Sequence, residues 1–249
     1  MHTKTRFFAN AALASAITLG LASQAAAQQD WDAINEETLR HFRALLQFDT
    51  SDPPGRELPA AEYIRDVLEA EGFEVEMLAN NDERPNVVTR LKGNGSKEPL
   101  LIMAHTDTVN VDPAKWTFPP FSATVDDGYV YGRGAFDDKD NLAAGLMVMI
   151  ELTRQGIKLA REVIFLAESG EEGATEFGIE FMINEHFDKI ESEFCLAEGG
   201  SVARVNREVQ YAGIQSVEKI PYQINLTATG VAGHGSVPPV SYTHLRAHA

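Results

Sequence analysis

Residues 100–107 read LLIMAHTD, an apolar run that ends in polar residues. Five consecutive apolar residues are typical of a buried strand, so the sequence predicts polar groups at the strand's carboxyl end. His105 and Asp107 stand two apart in extended chain, and their side chains therefore leave the same face. The imidazole can bind a metal while the carboxylate orients it. Taken alone, the pair is better explained as two polar residues that cap a buried strand.

Other apolar segments also end at, or lie next to, acidic residues. These are Asp137 and Asp138 within GRGAFDDK, Glu168, Glu171 and Glu172 after VIFLA, and Glu198 after FCLA. Asp137, Asp138, Glu171 and Glu172 each have a structural explanation, since carboxylates favour the beginning of a helix. Glu198 is a weak signal when taken singly. Together they predict a ligand site, because strands of an α/β sheet bring their carboxyl ends to one edge. Imidazole and carboxylate ligands suit zinc, cobalt or manganese, and a shared carboxylate would hold two ions about 3.5–4 Å apart.

The order of elements predicts an α/β fold with a mostly parallel sheet and helices on both faces. Helices are predicted over 32–48, from 58 to just before Gly72, and over 141–154 and 175–184. Strands are predicted over 73–78, 86–91, 99–104, 162–167, 209–214 and 222–229. Asp127-Gly128 predicts a hairpin turn, which explains the acids Asp126 and Asp127 without any functional role. The alternating strands near the end predict a second, smaller α+β domain that starts near residue 215.

Composition excludes one class of partner and indicates export. The chain has 249 residues, with 37 acidic and 21 basic side chains and a formal charge of -16, so we expect no nucleic-acid partner. Residues 1–27 have a basic start, an apolar stretch and small residues ending in AAA, which predict a signal peptide and a periplasmic location. A membrane anchor is disfavoured because the apolar stretch is short and interrupted. Cys195 has apolar neighbours, which predicts a buried, unreactive thiol.

Three ordered motifs give the chain a family resemblance. They are MAHTDTV at 103–109, YGRG through DDK at 131–139, and EEG at 171–173. Over about residues 31–239 the sequence resembles the M20 metallopeptidases, which include glutamate carboxypeptidase, succinyl-diaminopimelate desuccinylase, acetylornithine deacetylase, aminoacylase and carnosinase. The resemblance implies a zinc-dependent, exopeptidase-like catalytic domain with an inserted lid that forms homodimers. It also implies a cis peptide bond after Asp137.

The resemblance further implies a role for each site residue. The implied roles are metal ligands His105, Asp137, Glu172 and Glu198, with Asp137 bridging two ions, general base Glu171, and Asp107 orienting His105. His234, within GHGS at 233–236, would polarise the substrate carbonyl in the partner subunit's active site. Without the resemblance, a solvated loop residue explains His234 better. Asp140 replaces a glycine, and Ser169-Gly170 an acidic residue, that the family often has.

These observations lead to one functional expectation and its alternatives. We expect a two-metal hydrolase, with zinc before cobalt or manganese, that cleaves an amide bond of a small peptide or N-acyl amino acid. A non-catalytic metal-binding or scaffold protein is the alternative. The expected domains are a signal peptide (1–27), catalytic domain (28–214), the start of the lid (215–239) and a non-native tail (240–249). We also expect that the family's last metal-binding histidine lies beyond this chain, which as it stands would be inactive, and that no membrane contact remains after signal cleavage.

Overall fold

The computed structural model describes residues 29–206, 208–214, 224, 225 and 227. Chain contacts separate two compact units after Glu198, earlier in the sequence than the predicted domain start at 215. That predicted boundary stays a prediction, because nearly all of 215–239 falls outside the described residues. Among the helices that the structure describes, none combines the length and the apolar character needed to cross a membrane.

The first unit alternates helices and strands, and the second contributes a hairpin. The helices are α1 (Trp31–Leu46), α2 (Leu58–Ala70), α3 (Lys139–Arg154), α4 (Ile179–Glu185) and α5 (Phe187–Ile190). The strands of the first unit are β1 (Ser51–Asp52), β2 (Val75–Leu78), β3 (Asn86–Leu91), β4 (Leu100–His105), β5 (Thr108–Val109), β6 (Thr124–Asp126), β7 (Tyr129–Tyr131), β8 (Val163–Glu168) and β9 (Phe194–Leu196). In the second unit, β10 (Ser201–Val205) and β11 (Glu208–Gly213) pair antiparallel.

The central sheet has five strands in the order β2-β3-β8-β4-β9. The predicted α/β fold is confirmed, but the sheet is mixed rather than mostly parallel. Strand β4 runs parallel to β8 and β9, whereas β2–β3 and β3–β8 are antiparallel. A short connection joins β2 to β3 and allows antiparallel pairing only, while β4 reaches β8 through a crossover that contains α3. The parallel half is therefore the half whose strands end at the predicted site.

Both faces of the sheet are covered, as predicted. Alternate residues of β3 and β8 face opposite sides: Val87, Phe165 and Ala167 join one apolar cluster, and Val88, Ile164 and Leu166 join the other. The first cluster includes residues of α1, α2 and α3, and the second includes residues of α4 and α5. This double burial explains why β8 is an unbroken apolar run instead of an alternating one.

Local sequence explains several ends of the elements. The Asp30 side chain accepts a hydrogen bond from the Ala33 amide and caps α1. Asp127 and Gly128 have φ angles of 46° and 79°, which confirms the hairpin turn between β6 and β7. Helix α4 begins at Ile179 rather than 175, because residues 170–178 form successive turns after β8.

The prediction that the Cys195 thiol is buried was wrong. Its thiol is free and exposed, because β9 is the last strand at its edge of the described sheet. Partial desolvation and the nearby Glu168 carboxyl raise the pKa of the thiol, so its reactive thiolate form is disfavoured.

Candidate metal site

Two neighbouring parallel strands place the first site residues side by side. His105 is the last residue of β4 and lies opposite Glu168, the last residue of β8. Asp107 lies between β4 and β5, Asp137 precedes α3, and Glu198 follows β9. The predicted edge of the sheet therefore gathers residues from well-separated parts of the sequence.

The Nε2 atom of His105 faces three carboxylates. It lies 3.0 Å from Asp137 Oδ1, 3.3 Å from Glu198 Oε2 and 3.9 Å from Glu171 Oε2. Three possible ligand atoms lie within 4.8 Å of one another, one each from His105, Asp137 and Glu198. Three of the four predicted metal ligands thus come together in one cluster. Glu172, the fourth, does not belong to this group.

Asp107 is fully buried and makes contacts on two sides. Its backbone carbonyl accepts from His105 Nδ1 at 3.0 Å, and its carboxylate Oδ1 lies 3.3 Å from the same nitrogen. The two carboxylate oxygens also accept the backbone amides of Glu171 and Glu172, at 3.1 and 3.0 Å. Asp107 therefore fixes the imidazole and the adjacent glutamates together.

The charges around His105 hold a proton on its ring. Burial alone would lower the pKa of His105, but the hydrogen bond and charge of Asp107, with Asp138 and Asp137, raise it to about 10. Burial would raise the pKa of Asp107, but its contacts with His105 and the two amides keep it below the ordinary value. The surrounding carboxylates therefore favour a positive charge at His105 Nε2, which either a proton or a metal ion can supply.

Asp138 and Lys139 are buried beneath the cluster. The Asp137–Asp138 peptide bond is cis, as the resemblance implies. Asp138 accepts from the His105 amide at 3.2 Å and from Asn141 Nδ2, and burial raises its pKa to about 6. Its side chain does not cap α3, although sequence reasoning considered that role. Lys139 Nζ donates to the carbonyls of Leu45 and Phe48 at the end of α1, and burial lowers its pKa to about 8.

Glu168 is a site residue to which sequence reasoning gave no role. Its side chain is 1% exposed, and its Oε2 has no hydrogen-bond partner among the described residues. Burial raises the pKa of Glu168 to about 8, since the favourable charge of His105 offsets only part of the cost. The available signal was its position as the last residue of a fully buried strand.

Glu171 and Glu172 lie on a loop whose amides Asp107 holds. The Glu171 side chain is 44% exposed, and burial followed by the charges of Glu198, Glu172 and Asp107 raises its pKa against the opposing effect of His105. Burial and the neighbouring Asp137 raise the pKa of Glu172. His234 lies outside the described residues, so its predicted role remains a prediction.

The residues present fit a divalent cation. One imidazole nitrogen and two carboxylate oxygens form the donor set that suits zinc and similar ions. The carboxylates outnumber the cationic groups around Nε2, so their mutual repulsion is unrelieved unless a positive charge is present. The geometry can therefore hold a metal and place a carboxylate beside it.

Known proteins share this sequence pattern and fold. A deformylase of N-formyl-4-amino-5-aminomethyl-2-methylpyrimidine from Halalkalibacterium halodurans is 39% identical over 145 residues, 57% of this chain and 34% of that protein. A probable succinyl-diaminopimelate desuccinylase from Staphylococcus epidermidis is 32% identical over 205 residues, 82% of this chain and 47% of that protein. The matched chain thus spans less than half the length of either relative.

Solved structures give the same assignment of fold. An M20 family metallo-carboxypeptidase from Sulfolobus solfataricus superposes with a TM-score of 0.56 and 25% identity over 67% of this chain and 38% of that one. Human carnosine dipeptidase 1 has a TM-score of 0.56 and 19% identity over 67% and 39% of the two chains. The sequence model of the peptidase family M20/M25/M40 matches residues 101–243, more than half of the chain. The chain therefore belongs to the peptidase family M20/M25/M40.

Proposed function

We propose that the complete protein is a metal-dependent hydrolase that cleaves an amide bond in a small peptide or an N-acyl amino acid. The observation that carries this proposal is the cluster of His105, Asp137 and Glu198 with Glu171 beside it. Membership of the peptidase family M20/M25/M40 and the desuccinylase and deformylase relatives support the same class of reaction.

Glu171 is the residue best placed to move a proton. Its carboxylate is partly exposed, lies 3.9 Å from His105 Nε2 and has a raised pKa. A base whose pKa rises toward neutrality both accepts and returns a proton efficiently. The Asp107 carboxylate, by holding the Glu171 amide, keeps this side chain at the cluster.

The proposed reaction needs one water and one proton transfer in each direction. His105, Asp137 and Glu198 would hold a divalent cation, which would supply Lewis acidity and lower the pKa of water. Glu171 accepts a proton from the attacking water as the new carbon–oxygen bond forms. It then donates that proton to the leaving nitrogen as the carbon–nitrogen bond breaks, giving a carboxylic acid and an amine.

Turnover of N-succinyl amino acids and dipeptides by protein from the gene's complete reading frame tests this function. Glu171→Gln should lower kcat by about 10²–10⁴-fold while zinc content stays unchanged. Glu176→Gln is the matched control, since Glu176 is an exposed glutamate of the same loop outside the cluster. A zinc-loaded wild type that hydrolyses neither substrate class would instead support the scaffold alternative.

We propose two ions for the complete site, zinc before cobalt or manganese. The second would share Asp137 and bind Glu172, whose raised pKa reflects burial and its proximity to Asp137. Metal analysis of the complete protein should give two ions, and Glu172→Gln should reduce this to one. A wild type that binds a single ion would overturn the two-metal proposal.

We further propose that the protein is exported, that it forms a homodimer, and that His234 acts in the partner subunit's active site. Cleavage after Ala27 should be visible by N-terminal sequencing of protein recovered from the periplasm. In a homodimer, His234→Ala should lower kcat without changing metal content, because this histidine would polarise the substrate carbonyl. An uncleaved N-terminus would contradict the proposed signal peptide. Full activity of the His234→Ala variant would contradict the proposed role of His234.

A further inference from the structure

Arg84 is a buried arginine just before β3, away from the metal cluster. Its side chain is 3% exposed and binds two buried carboxylates. Nη2 lies 2.6 Å from Glu57 Oε1 and 3.0 Å from Asp52 Oδ2, and Nε lies 3.0 Å from Glu57 Oε1. We call these three residues the buried ion cluster. Such clusters contribute little net stability compared with apolar residues of similar size, so stability alone does not account for this one.

One face of the buried ion cluster supports the loop that carries Glu171 and Glu172. This loop, residues 169–178, is called the glutamate loop below. The Arg84 guanidinium lies over the Phe177 ring, 4.8 Å from its centroid, and a Cβ added at Gly170 would stand 3.3 Å from Nη2. The Arg84 carbonyl also accepts from Ser169 Oγ at 3.0 Å. Arg84 therefore contacts the glutamate loop at its start and near its end.

The other face of the cluster reaches the segment that carries Asp107. Asp52 belongs to β1, which pairs in parallel with β5, and Asp52 lies opposite Val109. Asp107 precedes β5 directly and accepts the Glu171 and Glu172 amides. The guanidinium thus joins the chain segment beside the Asp107 carboxylate to the loop whose amides that carboxylate binds.

We infer that Arg84 is a positioning residue, which holds the glutamate loop against Asp107 so that Glu171 and Glu172 keep their places at the metal cluster. Glu57 and Asp52 fix the guanidinium, and the Phe177 ring packs against it. The importance of this position for catalysis rests on the proposed function. The positioning itself is a property of the fold and can be measured without substrate.

Amide hydrogen exchange of the chain tests the inference directly. In Arg84→Lys one ammonium cannot reproduce the guanidinium's bonds to both carboxylates, so exchange across 169–178 should accelerate at least about tenfold. Exchange in β4, β8 and α3 should stay unchanged. Arg90→Lys is the matched control, because Arg90 lies on β3, the strand that follows Arg84, and binds Glu162 at a partly exposed site.

Asp52→Asn provides a second, milder variant that keeps the arginine. It weakens only the link toward β5, and it should also accelerate exchange in the glutamate loop, by a smaller factor. If either folded variant exchanges there as slowly as wild type, the inference is wrong. Uniform acceleration over the whole chain in both variants would also overturn it, since that result means general destabilisation.

A kinetic measurement separates this inference from the proposed function. In an active enzyme, Arg84→Lys should lower kcat at least about tenfold with KM changed less than about threefold, because Glu171 is misplaced while substrate binding is kept. A wild type without turnover would refute the proposed function and leave the exchange result intact. Normal loop exchange in an active enzyme would refute the positioning role alone.

Discussion

The site contains two groups of carboxyls around one imidazole, and the groups differ in burial. We call the buried group the floor and the exposed group the rim: the floor is Asp107, Asp138 and Glu168, and the rim is Asp137, Glu171 and Glu198. Floor side chains are 0–1% exposed, whereas rim side chains are 44–57% exposed. The floor carboxyls of Asp107 and Asp138 accept hydrogen bonds from backbone amides, which the described contacts do not give the rim.

This difference separates two tasks that the same residue types perform. Buried carboxyls with fixed partners hold the imidazole and the loop in place, at a cost in desolvation. Exposed carboxyls keep oxygens available for a cation or a proton. The comparison predicts that floor variants change the stability of the fold, while rim variants change what the site binds.

Removal of the Asp107 carboxylate should have the largest effect. Asp107→Ala leaves the Glu171 and Glu172 amides without their acceptor and removes the negative charge beside the His105 imidazole, so unfolding free energy should fall by about 3–5 kcal/mol. Urea unfolding of the metal-free chain at pH 7 measures it, with Asp137→Ala as the rim control. A loss of unfolding free energy below about 1 kcal/mol would contradict the proposed structural role of the floor carboxyls.

A rise in pH should be the next largest perturbation of the metal-free chain. His105 titrates at about 10 rather than 6.5, Glu168 at about 8 rather than 4.5, and Asp138 at about 6 rather than 3.8. The folded chain therefore binds protons that the unfolded chain has released, and stability falls as pH rises from 5 to 9. The expected loss is several kcal/mol, because each of the three groups binds its proton more tightly in the folded chain than in the unfolded chain. The lowered pKa of Asp107 acts in the opposite direction, but only below its ordinary range.

Unfolding curves at several pH values test this dependence. Added Zn²⁺ should reverse the trend, because metal binding needs the deprotonated imidazole and grows stronger as pH rises. Stability that increases between pH 7 and 9 in a chelator would contradict the assignment of buried protons to the floor.

A rim substitution should have a smaller effect on stability and a specific effect on binding. Asp137→Asn removes one of the carboxylates that face His105 Nε2, and unfolding free energy should change by less than about 1 kcal/mol. Zinc affinity should fall at least about tenfold, as measured by calorimetry. Unchanged affinity would show that the cluster is not the binding site.

The smallest effect is expected at an acid outside the site. Asp126 lies exposed in β6 at the hairpin, where turn geometry explains the local sequence. Asp126→Asn should leave zinc affinity unchanged and alter unfolding free energy by less than about 0.5 kcal/mol. A measurable loss of affinity would mean that net charge, rather than the arranged ligands, governs metal binding.

Local patterns predicted much of the fold because they depend on neighbours in sequence. Strand β3 was predicted over its observed range, 86–91, and the Asp127-Gly128 turn was predicted from two residues. Sheet order is non-local, so the mixed pairing and the exposure of Cys195 at an edge strand were not accessible. Apolar neighbours indicate a strand but do not say whether another strand covers it.

The residues of the candidate site also fall into those that the sequence could predict and those that only the folded chain brings together. Family resemblance brought His105, Asp137 and Glu198 together as proposed ligands, and the described cluster contains all three. It said nothing of Glu168, which faces His105 only because β8 lies beside β4. Arg84 was likewise missed, since its partners Asp52 and Glu57 lie about thirty residues earlier and meet it only in the folded chain.

The two glycines beside Arg84 have a consequence for how related sequences vary. Gly55 and Gly170 have φ angles of 68° and 71°, and a Cβ at Gly55 would overlap the Arg84 guanidinium. A Cβ at Gly170 would press on the Ala174 carbonyl and approach the same side chain. Gly55 cannot gain a side chain while the arginine stays where it is, and Gly170 cannot gain one while the Ala174 carbonyl stays where it is. In an alignment of relatives, positions 55 and 84 should therefore covary, with the arginine lost wherever Gly55 is replaced.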